Sequence, residues 1–88
     1  MSAESIAVAL KLGHPERVRI LQACAVEPQS PVMLAPTNAD IGRVSYHFRV
    51  LEGRGLIELV DLRRRRGSVQ HMFAATDEGK AMAEALGT

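Results

Sequence analysis

Four consecutive arginines, Arg63 to Arg66, stand between two strand-like apolar runs, LIELV and VQHMF. A guanidinium stays charged and presents a planar fork, which pairs bidentately with phosphate oxygens and with the edge of guanine. Residues 43–66 carry seven arginines against Glu52, Glu58 and Asp61, a local balance of +4 in a chain whose net charge is only +1. Residues 1–42 hold three basic and four acidic side chains, and the remainder one lysine against three acids. Positive charge is therefore concentrated, and its all-arginine character fits nucleic acid better than general solubility. A charge run is more often only a solvated loop, so the elements that position it must decide.

Other chemistry finds little support. His14, His47 and His71 are far apart and show no ligand spacing such as H-x₃-H, so no metal site is expected. Cys24 is the single cysteine. It allows no internal disulfide and no cysteine pair for zinc, and a core-facing position with a reducing, cytoplasmic setting is expected of it. There is no Gly-rich phosphate loop, no Cys/His nucleophile arrangement, and no carboxylate pair near a histidine, so neither an enzyme nor a cofactor is expected. The apolar run IAVAL is five residues, far short of the roughly 20 needed to span a membrane.

Punctuation along the 88 residues defines one domain, 1–88, with no repeat and no linker. Ser2 or Ser5 can cap a first helix over about 2–12, with Ala3, Ile6, Ala7 and Leu10 on one face, ended by Gly13. HPERVRILQACAV opens a second helix with Pro15 at its first position and His14 as cap, and Val18, Leu21, Cys24 and Ala25 share a face. Ser30 and Pro31 start a short third helix that Pro36 cannot continue. After the turn PTNAD, Asp40 is placed as N-cap of IGRVSYHFRVLEGRG, whose stripe of Ile41, Val44, Phe48 and Leu51 is apolar. Gly42, Arg43, Tyr46 and Arg49 project from the other side. Gly53 or Gly55 supplies a left-handed cap, and strand, arginine turn and strand follow over about 56–75, with Gly67 giving the positive φ of a tight hairpin. Val69, His71 and Phe73 can share one side of the return strand. Thr76 then caps an Ala-rich helix over about 77–86, with Asp77 and Glu78 in its first turn.

The order is α-α-α-α-β-β-α, mainly helical with one small β-hairpin, and the short helix and turn before an arginine-bearing helix read as a winged helix-turn-helix. The helix-turn-helix spans about 31–53. In that architecture the second helix of the motif enters the major groove, and the hairpin, or wing, reaches the flanking backbone or minor groove.

The segments GHPERVRIL, SPVMLA, VSYHFRVLEGRGLIELV, RRGSVQHMF and TDEGKAM together resemble the ArsR-like winged-helix transcriptional regulators over roughly residues 12–82. The turn PTNAD departs from that pattern, being about one residue shorter and lacking the usual leucine. The resemblance implies that Arg43, Ser45, Tyr46 and Arg49 lie at the groove with His47 on its edge, and that Arg63, Arg64, Arg65 and Arg66 form the wing. It also implies a homodimer built from the terminal helices, to which Ile6, Leu10, Met82 and Leu86 would contribute. Metal-sensing relatives use thiols in the first helix of the motif, but here that helix reads PVMLA.

The function expected is a sequence-specific, double-stranded-DNA-binding regulator, repressor-like, reading an inverted repeat as a homodimer. A chain this short buries only about 60 to 65% of its unfolded surface, which independently favours a partner subunit. The alternative from another class is a winged-helix adaptor or anti-regulator whose arginine hairpin binds an acidic protein, since fold alone does not fix function.

Overall fold

A computed structural model describes residues 12–87. Helix α1 spans Pro15–Val26, α2 Pro31–Leu34 and α3 Ile41–Gly53, with a 3₁₀ turn at Asn38–Asp40 between the last two. Strands β1, Ile57–Arg65, and β2, Ser68–Ala75, pair antiparallel, and α4 covers Asp77–Leu86. This is the winged helix-turn-helix order, with helices before the hairpin and one after it. The expected first helix, with Ile6 and Leu10, lies outside the described residues apart from Leu12.

Local chemistry sets the boundaries. His14 Nδ1 accepts from the Glu16 N–H at 3.1 Å, and Pro15, lacking an N–H, sits where none is needed. Ser30 accepts from Met33 N–H to open α2, and Thr76 accepts from Gly79 N–H to open α4. Asp40 behaves differently from expectation. Its backbone is already helical, φ −88° and ψ −8°, and it makes no capping bond. The preceding 3₁₀ turn leads directly into α3, so the Asp40 carboxylate is left to take the Thr37 hydroxyl at 2.7 Å. Of the two glycines proposed to end α3, Gly55 holds the left-handed backbone, φ +74°.

Ile20, Leu21 and Cys24 of α1, Val44, Phe48 and Leu51 of α3, Leu56 and Ile57 at the start of the hairpin, and Ala75 and Ala83 form one core with Leu12. Ile41, expected in the α3 stripe, is half-buried at its rim. Gly79 lets α4 approach the hairpin: a Cβ there would stand 1.9 Å from the Leu56 carbonyl oxygen. Met82 and Leu86 pack, half-buried, against this same core.

The hairpin register pairs Arg63 with Gln70, Arg64 with Val69 and Arg65 with Ser68, and a bulge at Val60 shifts the ladder between Leu59 and Asp61. Beyond Ile57, β1 is exposed throughout, so the strand projects from the body. Its partner is anchored. Gln29 and Phe73 exchange two backbone hydrogen bonds of 2.8 and 2.7 Å, tying the loop before α2 to β2, and Met72 is fully buried.

Candidate nucleic-acid interface

Helix α3 divides as the period of 3.6 requires: Val44, His47, Phe48 and Leu51 face inward, and Gly42, Arg43, Tyr46 and Arg49 are exposed. Ser45 is half-buried at the flank. Tyr46 leaves 53% of its surface open, with the Arg17 guanidinium 5.9 Å from its ring centroid. A large amphipathic side chain is thus held outward on a rigid helix.

His47 is a correction. It was expected on the edge of the exposed face, but it is 5% exposed and turned toward α1. Arg17 Nε donates to its Nδ1 at 3.1 Å, so the neutral ring carries its proton on Nε2, which lies 3.2 Å from Glu16 Oε2. Burial pushes the imidazole pKa down, the Glu16 carboxylate working against that shift, so His47 is neutral near pH 7 and serves packing.

Arg43 is exposed but not idle. One terminal nitrogen donates to Glu16 and the other to Asp40 at 3.0 Å. The Glu16 carboxyl, hydrogen-bonded by Arg43 and also paired with Arg19 at 3.1 Å, is held below its usual range. Arg43 is therefore oriented by two carboxylates at the start of α3, which limits the charge it offers outward.

His14, Glu16 and His47 each offer a donor atom, and these lie within 4.8 Å of one another. Sequence spacing missed this grouping, because α1 and α3 bring it together only in three dimensions. Its lone pairs are already committed: His14 Nδ1 to the Glu16 N–H, His47 Nδ1 to Arg17, and the carboxylate to Arg19 and Arg43. Two guanidiniums paired with the one carboxylate, and a third on His47, repel a further cation, so the cluster is filled by arginine.

In the hairpin, Arg63, Arg64 and Arg65 belong to β1 and, of the four, only Arg66 lies in the turn, which corrects the reading of the arginine run as the turn between the strands. Arg66 and Gly67 have φ of +49° and +82°, the two positive values of a two-residue type I′ connection. Glycine takes that backbone freely, whereas an arginine there is disfavoured by about 1 to 2 kcal/mol.

The nine arginines of the chain sort by partner. Arg17 and Arg54 donate to the Leu12 carbonyl at 3.0 and 3.3 Å, Arg19 and Arg43 hold Glu16, and Arg63 pairs with Asp61 at 3.3 Å. Among the described residues, the side chains of Arg49, Arg64, Arg65 and Arg66 make no hydrogen bond or ion pair. All four lie on α3 or the hairpin. Ser45 and Arg49 from α3 and Ser68 to His71 from β2 border one cleft, so the two elements present these groups around a common valley. Val69, His71 and Phe73 line the same cleft, consistent with the shared strand face expected of them.

Comparison with family models, with curated proteins and with solved structures finds no match to this chain. Among the described residues, no helix is long and apolar enough to cross a membrane.

Proposed function

We propose that this protein is a sequence-specific DNA-binding regulator of the ArsR-like winged-helix type, acting as a homodimeric repressor on an inverted repeat. Helix α3 enters the major groove with Tyr46, Ser45, Arg49 and the oriented Arg43, and the hairpin lays Arg63 to Arg66 along the adjacent backbone or minor groove. The observation that supports this reading is the sorting of the arginines. Those elsewhere are tied to carboxylates or carbonyls, while the untied ones are confined to α3 and the hairpin. A turn that keeps arginine where glycine or asparagine would fit better supports a role for that side chain.

Phosphate contacts supply affinity and base contacts supply sequence. The test is a fluorescence-anisotropy titration with random duplex DNA at several salt concentrations, followed by selection and sequencing of bound sites. Steep salt dependence and an enriched inverted repeat are expected. Replacing Arg63 to Arg66 by alanine should reduce the salt slope by up to about 3.6, at about 0.9 per neutralised phosphate. Absence of binding at low salt overturns the reading and assigns the hairpin to an acidic protein partner.

A further inference from the structure

The valley between α3 and the hairpin is more than a route for a phosphate strand. It is a cleft of about 420 Å³, a volume typical of small-molecule sites. Val32 of α2, Ile41 of α3, and Val69 and Phe73 of β2 give it apolar walls. Arg49, which has no ion-pair partner among the described residues, and Ser45, four residues before it on α3, also line the cleft. Ser30, fully buried, donates its hydroxyl to Gln70 Oε1 at 3.2 Å, which fixes the side chain of this cleft-lining residue and leaves its amide nitrogen free to donate.

A phosphodiester would use the guanidinium but has no use for the apolar walls. A ligand that matches both halves is small, carries one anionic group, and has an apolar body. We propose that this cleft binds a small amphipathic carboxylate, with its carboxylate on Arg49 and Gln70 and its aryl or branched alkyl body against Val32, Ile41, Val69 and Phe73. Charge complementarity selects the anion, because the cleft presents a guanidinium and no acidic side chain. The walls select the apolar body, which a hydrated inorganic anion lacks.

The regulatory consequence rests on the DNA reading given above; the binding itself does not. Ser45 and Arg49 are both groove-facing groups in that reading, so an occupied cleft removes them from DNA. The ligand is then an effector that releases the operator, by direct competition for the same side chains and with no conformational relay.

The test uses 3-phenylpropionate as probe, with acetate and 3-phenylpropionamide as controls lacking the ring and the charge respectively. Each is titrated to millimolar concentration into the ¹⁵N-labelled full chain without DNA, and amide shifts are followed. Saturable shifts at Ser45, Val69, Gln70 and His71 are expected with 3-phenylpropionate, and binding at least roughly tenfold weaker with either control. Arg49→Ala should weaken the carboxylate roughly tenfold and leave the amide control unchanged. Val69→Trp, at an exposed strand position, should fill the cleft and abolish binding while the spectrum stays folded. No saturable shift, shifts located elsewhere, or equal affinity for acid and amide would each overturn the proposal. A DNA titration in parallel keeps the two readings apart: a chain that binds the carboxylate but no DNA retains the site and loses the repressor, and the converse result does the opposite.

Discussion

Arg66→Asn separates the backbone of the hairpin from its charge. The native turn holds Arg66 at φ +49° beside Gly67 at +82°, the geometry in which Asn-Gly is strongly preferred. The Arg66 side chain is exposed, so nothing is lost from the core when it is replaced. Relief of a part of the left-handed cost should stabilise the fold by about 0.5 to 1 kcal/mol, because asparagine tolerates that region. For a domain of this length the gain corresponds to a rise in Tm of about 2 to 8 °C. The buried Met72 and the Gln29–Phe73 bridge couple β2 to the body, so the gain should register in global unfolding. DNA binding should move the other way, with a salt slope lower by about 0.9 for one lost phosphate. Thermal melts by circular dichroism and anisotropy titrations across salt measure the two effects on the same sample. A lower Tm would refute the backbone argument. A higher Tm with unchanged affinity and slope would refute the assignment of Arg66 to DNA.

Gly79→Ala should destabilise by about 3 kcal/mol in urea titrations, although alanine is ordinarily the better helix former, because its Cβ would stand 1.9 Å from the Leu56 oxygen and force α4 away; stability equal to the parent would contradict this packing. Cys24 should react with a thiol reagent at pH 8 only as the chain unfolds, since burial pushes its pKa up to about 12, and fast labelling of the folded protein would place the side chain outside the core. His47 has a folded pKa below its unfolded value of 6.5, so its contribution is fully present above pH 6.5 and is lost as pH falls through the folded pKa. Stability measured against pH should therefore begin to decline below about 6.5 in the parent, and His47→Gln should lack that decline. Identical pH profiles would show that His47 is not buried neutral.

Much of the fold was legible because its signals are local. Ser30, Thr76 and His14 cap the helices that follow them, Pro15 and Pro31 occupy first turns, and Gly67 marks the hairpin. Each acts through hydrogen bonds or steric limits within a few residues of itself. The outward set of Gly42, Arg43, Tyr46 and Arg49 was legible for the same reason, since a helical period fixes which side chains point together. Asp40 takes the expected N-cap position but makes no capping bond, because a cap preference does not register that a 3₁₀ turn has already given the residue helical dihedrals.

Tertiary structure decided what those side chains do. Periodicity places His47 beside the exposed face, but the approach of α1 buries it and supplies Glu16 and Arg17 from thirty or so residues away. The same approach divides arginines that are identical in sequence terms: Arg43 is held by Glu16 and Asp40, while Arg49, a turn and a half further on, has no partner among the described residues. The cleft likewise exists only where α2, α3 and β2 converge. Caps and periods are set by bonds between near neighbours along the chain. Burial, pairing and cavities depend on the distance between elements, which is set by packing the whole core at once.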